Sequence, residues 1–418
     1  MNIKLNKSEV IPPSGARGLS IKISGSKSET NRLLLLQALY PNLILENTSN
    51  SDDSEVMHKA LFDNRELTTN NQIINIHHAG TAMRFLTAYF SIQENSEVIL
   101  TGSSRMKERP IKILVDALQQ LGAEISYEEN EGFPPIRIKG KKLLQNKVSL
   151  YANVSSQYIS ALLLIAPKLE NGLELTLEGE ITSIPYIKMT LSLLNEIGVE
   201  TSFVGNKITV KPKFVIRNSK FVIESDWSSA SYFYSIVSLS NIGTQISLSS
   251  YKENSLQGDS VLKEIYKDFG VETRFKDDSI ILRKTDNRQP TTNNYQLNNA
   301  PDIAQTIAVT CFGLGIGCHM TGLHTLKIKE TNRLLALKIE LEKLGAQVTI
   351  TDDTITLKPS SIIKENIIVK TYQDHRMAMA FAPLALKVPI IIEDAEVVSK
   401  SYPAFWEDLK SIGFQISE

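Results

Sequence analysis

Five times along this chain a helical run ends in glycine and turns into a strand-like alternation. The segments are LQQLGAEI (118–125), LNEIGVET (194–201), YKDFGVET (266–273), LEKLGAQV (341–348) and LKSIGFQI (409–416). Their glycines, at 122, 198, 270, 345 and 413, are spaced by about seventy residues. Glycine just past a helix end takes the left-handed conformation without a Cβ penalty. A period of this length means repeated supersecondary modules, none of which can bury its apolar face alone. Extrapolating backwards places a sixth copy near 55–65, where SEVMHKALFDNREL is helical in pattern but has no glycine. That copy reads as degenerate, and the chain as six units of strands and two helices.

Within the units further helices open on polar motifs: SKSETNR (26–32), SSQYISALL (155–163), WSSASYFYS (227–235), APDIAQTIA (300–308), KETNRLLAL (329–337) and DHRMAMAFA (374–382). Each sets capping residues ahead of small and apolar residues at helical spacing. Segments such as LELTLEGE, KITVKP, TQISLSS, SIILRK and DTITLKP fill the gaps as strands. A chain of 418 residues exceeds one ordinary core. The fold class expected is therefore α/β in the broad sense (α+β), with two similar globular domains of three repeats each. One domain is expected at 26–225 and the other, discontinuous, at 1–25 plus 226–418, with an N-terminal strand within 1–23 joining the C-terminal half. The chain then crosses between domains twice, near 23–26 and 224–227, which makes a natural hinge.

Composition excludes several classes. A net charge of −1 supplies no whole-molecule field for nucleic acid, so any basic site must be local. The two cysteines, Cys311 and Cys318, lie in an apolar stretch and form no disulfide framework or CxxC pair, which fits a reducing cytoplasm. No run approaches the roughly 18 apolar residues that span a membrane. The opening MNIKLNKSEV alternates like a strand and lacks an apolar signal core. GSKS at 25–28 lacks the glycine spacing of a P-loop. His77 and His78 are adjacent and cannot both face one metal from a regular strand. Asp52 and Asp53 read as caps of the helix that follows.

The hexapeptide ETNRLL occurs twice, at 29–34 and 330–335. Each copy looks like a helix N-terminus, with free N–H groups and the positive end of the dipole. Lys27 and Arg32, and likewise Lys329 and Arg333, add full charge there. Two cationic helix starts suggest one anionic ligand gripped from two halves of a molecule. Other candidate cations are Arg84 in HHAGTAMRF, Arg105, Lys107 and Arg109 in TGSSRMKERP, Arg376 in DHRM and Lys400 in VVSKSYP. They stand beside Gly, Ser and Thr, where backbone and side chain can converge on phosphate or carboxylate. Gly80 permits a close approach to backbone. Asp302 follows Pro301 and reads as an N-cap on its own; Glu330 is flanked by Lys329 and Arg333. A carboxylate held among cations is a candidate proton carrier.

GSKSETNR, AGTAMR, RMKERP, SSQYISALL, SIPY, PDIAQTIA, KETNR, DHRMAMA and SKSYP, in that order over about residues 20–405, resemble the 3-phosphoshikimate 1-carboxyvinyltransferase (EPSP synthase) family of enolpyruvyl transferases. The resemblance implies two similar globes, each an inside-out α/β barrel, with the active site in the inter-domain cleft. It implies transfer of the enolpyruvyl group of phosphoenolpyruvate to the 5-hydroxyl of shikimate 3-phosphate through a tetrahedral intermediate. The products are 5-enolpyruvylshikimate 3-phosphate and phosphate, in the shikimate pathway of aromatic amino-acid biosynthesis. It further implies a cytoplasmic monomer that needs no metal or organic cofactor and is inhibited by glyphosate.

By motif, the resemblance assigns Lys27, Ser28, Arg32, Ser155, Ser156, Gln157, Ser183, Tyr186, Asp302 and Lys329 to shikimate 3-phosphate. It assigns Lys27, Gly80, Arg109, Gln157, Arg333, Arg376 and Lys400 to phosphoenolpyruvate. Asp302 would orient and deprotonate the 5-hydroxyl, Glu330 would act in proton transfer, and Lys27 would neutralise developing charge. Three positions depart from the family's pattern. His78 stands where many relatives have Asn, Thr325 lies near where some place an Asn contact, and Asn332 replaces a common Asp. The UDP-N-acetylglucosamine enolpyruvyl transferases typically carry Cys or Asp on a mobile loop. The comparable loop here, GSSRMKERP (102–110), has no Cys, which disfavours that alternative.

Overall fold

The computed structural model describes residues 1–10, 19–63, 72–153, 155–216, 219–287 and 294–418. They divide into two compact units, Ser26–Ile223 and Met1–Gly25 with Glu224–Glu418. Each unit has its own apolar core.

The N-terminal unit, Ser26–Ile223, contains helices α1 (Lys27–Leu39), α2 (Asp52–Phe62), α3 (Gly80–Ser91), α4 (Ser104–Lys107), α5 (Lys112–Gln120), α6 (Ser156–Ile165) and α7 (Ile184–Glu196). In one sheet Gln72–Asn75 runs parallel to Glu97–Thr101, which continues antiparallel to Ile136–Lys139 and then Glu124–Tyr127. A second repeats the rule with Lys147–Tyr151, Leu173–Glu178, Lys207–Val210 and Thr201–Val204. A third has two described strands, Leu43–Glu46 and Ser219–Val222, in parallel.

Helices α1, α3 and α6 are buried on nearly every face: all of α3 but Thr81, all of α6 but Gln157, and residues 29–36 of α1. Their sequences, such as NRLLLL and SALLLI, accordingly lack the narrow apolar stripe of a surface helix. The strands instead alternate buried and exposed positions, as Leu173–Glu178 does, so helices lie inside and sheets outside.

The C-terminal unit contains α8 (Trp227–Leu239), α9 (Leu262–Ile265), α10 (Ala304–Leu314), α11 (Arg333–Lys343), α12 (His375–Phe381) and α13 (Phe405–Ser411). Its three four-stranded sheets follow the same rule. Leu19–Ile21 pairs in parallel with Gln245–Ser249, Asn294–Gln296 with Cys318–Thr321, and Ile367–Val369 with Ile390–Ile392. The last of these sheets is completed by Ile3–Leu5, which lies between Ile390–Ile392 and Ile416–Ser417. The parallel strand preceding α1 thus belongs to the C-terminal unit, whereas the one preceding α8, Ser219–Val222, belongs to the N-terminal unit. Helices α8, α10 and α12 are internal. Polar groups facing each other across α8 and α10 satisfy one another, as in Ser231 with Thr306 (3.0 Å) and Thr310 donating to Ser235 (2.8 Å).

The five glycines close their helices in one geometry. Gly122, Gly198, Gly270, Gly345 and Gly413 have φ of 102°, 83°, 74°, 108° and 109°. In each case the following residue donates its N–H to the carbonyl five positions back, at 3.0 Å, as Ala123 does to Leu118. This is the Schellman closure, which only a left-handed residue permits cheaply.

Four readings of the sequence need correction or completion. The second ETNRLL does not open its helix as the first does: α11 starts at Arg333 with Asn332 as its N-cap, so Glu330 and Thr331 lie outside it. Ser51, not Asp52 or Asp53, caps α2. The segment 1–23 holds two short strands, Ile3–Leu5 and Leu19–Ile21, with 11–18 outside the described residues. The sixth copy supplies α2, and its continuation at 64–71 lies outside the described residues. Among the described residues no helix is long and apolar enough to cross a membrane.

Candidate active site

In the N-terminal unit the candidate residues gather at the starts of α1, α3, α6 and α7. Lys27, the first residue of α1, bonds through Nζ to Asp53 Oδ2 at 2.9 Å. Arg32 lies one turn deeper and is 2% exposed. Its Nε donates to Thr190 Oγ1 (2.8 Å), Nη1 to the Ser28 carbonyl (2.7 Å), and Nη2 to Ser160 Oγ (3.0 Å) and the Tyr186 carbonyl (3.4 Å). Arg32 therefore ties α1 to α6 and α7. Burial pushes its guanidinium down to about 10, against nearby Glu29.

Ser155 caps α6 by accepting from the Gln157 N–H at 3.2 Å, with Ser156 buried beside it. Gln157 donates from Nε2 to Thr81 Oγ1 on α3 at 3.1 Å. Ser183 precedes α7 in the left-handed conformation, φ 54°, with Pro185 and Tyr186 in the first turn after it. Gly80 is the first residue of α3, and the Arg109 guanidinium lies over it: a Cβ there would fall 2.6 Å from Nη1. The Arg109 guanidinium thus packs against the backbone that Gly80 leaves bare.

Arg84 points inward, 4% exposed, donating to the carbonyls of Gly80 (3.1 Å) and Pro110 (3.0 Å). Tyr158 also donates to the Pro110 carbonyl, at 2.7 Å. Together they pin the loop that carries Arg109. Arg105 and Lys107 pair instead at the surface, with Glu108 and Glu129.

In the C-terminal unit a denser cluster forms. Arg333, 2% exposed, donates to three carboxylates: Nε to Asp374 Oδ2 (2.6 Å), Nη1 to Asp302 Oδ1 (2.8 Å) and Nη2 to Glu330 Oε2 (2.8 Å). Lys329 Nζ stands 3.4 Å from Asp302 Oδ1. Arg376 Nη1 donates to the Asp302 carbonyl (3.3 Å) and Nη2 to Asp302 Oδ2 (3.4 Å). Asp374 also caps α12 by accepting from the Arg376 N–H at 3.0 Å. Lys400 donates to the Gln373 carbonyl at 2.6 Å.

Asp302 is not an N-cap. It lies in a 3₁₀ turn before α10, whose N-cap is Ile303. Burial works to raise its carboxyl, but Lys329, Arg376 and Arg333 outweigh that and hold it well below the usual range. Arg333 is raised despite burial, by Asp374, Glu330 and Asp302.

The cations at both ETNRLL copies carry counter-charges of their own. Lys27 faces Asp53, and Lys329, Arg333 and Arg376 face the carboxylates of Asp302, Glu330 and Asp374. Sequence reasoning missed Asp53, Asp374, Ser160 and Thr190 as partners. Asp374 stood inside the DHRM motif and Ser160 inside SSQYISALL; Thr190 had no local signal. Among the described residues no group of three or more His, Cys, Asp or Glu is gathered as a metal would require.

Among the solved structures that share the fold are two enolpyruvyl-transferase structures. One is an EPSP synthase from Acinetobacter baumannii, with TM-score 0.75 and 20% identity, covering all of both chains. The other is the enolpyruvyl transferase NikO from Streptomyces tendae, with TM-score 0.71 and 13% identity, covering 100% of this chain and 98% of that one. The fold is therefore one that enolpyruvyl transferases adopt. The family model of EPSP synthase (3-phosphoshikimate 1-carboxyvinyltransferase) matches residues 42–409. The 3-phosphoshikimate 1-carboxyvinyltransferase of Bacteroides fragilis (strain YCH46) is 45% identical, covering 95% of this chain and 96% of its own. That of Haemophilus influenzae is 34% identical, covering 98% and 99%. The chain belongs to the EPSP synthase family.

Proposed function

We propose that this protein transfers the enolpyruvyl group of phosphoenolpyruvate to the 5-hydroxyl of shikimate 3-phosphate and releases phosphate. Membership of the family supports the reaction. The observation that carries the assignment of roles is Asp302, a partly buried carboxylate ringed by Lys329, Arg333 and Arg376. Such a group is ionised at neutral pH and can orient a hydroxyl by accepting its hydrogen bond, and its basicity rises as substrate anions offset the cations around it.

In the first step the methylene carbon of phosphoenolpyruvate takes a proton while the substrate oxygen bonds to the adjacent carbon. In the second, that methyl carbon loses a proton, the carbon–oxygen bond to phosphate breaks, and the double bond re-forms. We assign Asp302 to orient and deprotonate the 5-hydroxyl. Glu330, on the far edge of Arg333, moves the proton at the methylene carbon. Lys27 stabilises charge on the transferred group.

Ser28, Arg32, Ser155, Ser156, Gln157, Ser183, Tyr186 and Lys329 hold shikimate 3-phosphate in this proposal. Arg32 contributes through an edge of a guanidinium already bonded to α6 and α7. Gly80, Arg109, Gln157, Arg333, Arg376 and Lys400 hold phosphoenolpyruvate. The two free, buried cysteines support a reducing, cytoplasmic setting, and we expect the monomer to be the working form. Phosphate release from phosphoenolpyruvate, followed with and without shikimate 3-phosphate, tests the reading. Release that does not depend on shikimate 3-phosphate would refute it.

A further inference from the structure

One buried carboxylate beside the C-terminal cluster has no part in the chemistry above. Asp259, in the 3₁₀ turn Gly258–Val261, is 2% exposed. Its Oδ2 accepts a hydrogen bond from the hydroxyl of Ser228, in the first turn of α8. Its Oδ1 has no hydrogen-bond partner among the described residues. The Ser228 oxygen in turn accepts from Arg376 Nη2 at 3.2 Å. That is the shortest of the bonds described for the Arg376 guanidinium, the others being 3.3 and 3.4 Å to Asp302.

We propose that Asp259 is a positioning residue that acts through Ser228 to hold the Arg376 guanidinium in place, and so sets how tightly the protein takes the anion that Arg376 binds. The argument rests on counting protons. A serine hydroxyl has one hydrogen and two acceptor lone pairs. Giving the hydrogen to Asp259 fixes the rotor and leaves the lone pairs facing Arg376. Without Asp259 the hydrogen can turn toward the guanidinium and oppose it. Asp226, another acid close enough to act on Arg376, is engaged elsewhere: its Oδ1 caps α8 by accepting from the Ser229 N–H at 2.8 Å. Arg333, with three carboxylates at 2.6–2.8 Å, needs no such help. Burial, with Asp302 nearby, pushes the Asp259 carboxyl up to about 7, partly offset by Arg376 and Ser228. Its environment is therefore tied to the charge at Arg376 and Asp302.

The inference rests on the proposed role of Arg376 in holding phosphoenolpyruvate. The test is steady-state kinetics on Asp259→Ala, Asp259→Asn, Ser228→Ala and the double alanine variant. Asp259→Ala and Ser228→Ala should each raise the KM for phosphoenolpyruvate about tenfold, the equivalent of ~1.4 kcal/mol. The KM for shikimate 3-phosphate should stay within about twofold. The double variant should be no worse than either single one, since both act through one link. Asp259→Asn, whose amide oxygen still accepts from Ser228, should recover most of the affinity. If Asp259→Ala does not fold, Ser228→Ala and Asp259→Asn carry the test. An unchanged KM for phosphoenolpyruvate in Ser228→Ala, or additive effects in the double variant, overturns the inference. A wild-type protein without shikimate 3-phosphate-dependent phosphate release would instead refute the reading of the site.

Discussion

Arg32 and Arg333 hold the same place in the two ETNRLL copies, and their surroundings are opposite. Arg32 donates to two hydroxyls and two carbonyls. Arg333 donates to three carboxylates. Burial lowers the first to about 10, whereas the carboxylates raise the second. Even the backbone differs, since the first ETN is helical and the second is not. Six identical residues thus serve as a brace among neutral partners in one unit and as the hub of a cluster of opposite charges in the other. A local motif sets what groups are available; the partners brought by distant elements set what they do.

The difference should show most in stability. Arg333→Met leaves three carboxylates around an apolar group, and breaking a buried ion pair costs about 3–5 kcal/mol. Arg32→Met leaves only hydroxyls and carbonyls unpaired, about 1–3 kcal/mol. Denaturant unfolding of both variants at neutral pH checks the order, and an equal or reversed order breaks the comparison.

Chemistry should follow the charged copy. Asp302→Ala should cut turnover by at least ~100-fold, the lower range for lost acid–base help. Calorimetric affinity for shikimate 3-phosphate should fall far less. Turnover near that of the wild type would return Asp302 to a structural role. Glu330→Gln should lower turnover by a smaller factor with ligand binding retained.

The charge cluster should also give stability a pH dependence. A carboxyl raised from 3.8 to about 7, as in Asp259, binds its proton more tightly when folded. Its contribution is full below about pH 4 and is lost as pH rises through about 7, with a slope of at most ~1.4 kcal/mol per pH unit. Asp302 is shifted the other way, so its window lies below its ordinary value. Asp259→Asn should therefore gain stability relative to wild type between pH 5 and about 8. A constant difference across that range would mean that the Asp259 carboxyl is not raised.

The smallest effect is sought in the N-terminal unit. Gly80→Ala puts a methyl where the Arg109 guanidinium lies, and the arginine must swing aside. The KM for phosphoenolpyruvate should rise by about tenfold, within the ~1–3 kcal/mol of a misplaced methyl. The methyl meets the far end of a flexible side chain rather than backbone, so stability should barely change. An unchanged KM would show that Arg109 serves equally well from another position.

The repeat was legible because glycine at the helix end leaves a mark in one residue. Gly122 to Gly413 announce both the left-handed turn and the strand after it. Buried helices such as α8 were legible as helix starts but not as interior elements, because their serines read as surface residues until Thr306 and Thr310 are seen opposite them. In the site, Lys27, Asp302, Arg333 and Arg376 could be picked out by motif. Their partners could not: Asp53 pairs with a lysine 26 positions earlier, and Ser160 and Thr190 reach Arg32 across 128 and 158 residues. Such pairings depend on packing and leave no periodic trace.

The exchanged strands bear on how the chain is made. Residues 26–223 are contiguous, so the N-terminal unit can fold as soon as it leaves the ribosome. Ile3–Leu5 and Leu19–Ile21, synthesised before that unit, find their partners only when Gln245–Ser249, Ile390–Ile392 and Ile416–Ser417 have emerged. At roughly 5–20 residues per second Ile3–Leu5 then waits some tens of seconds, open to other contacts, for the strands that flank it.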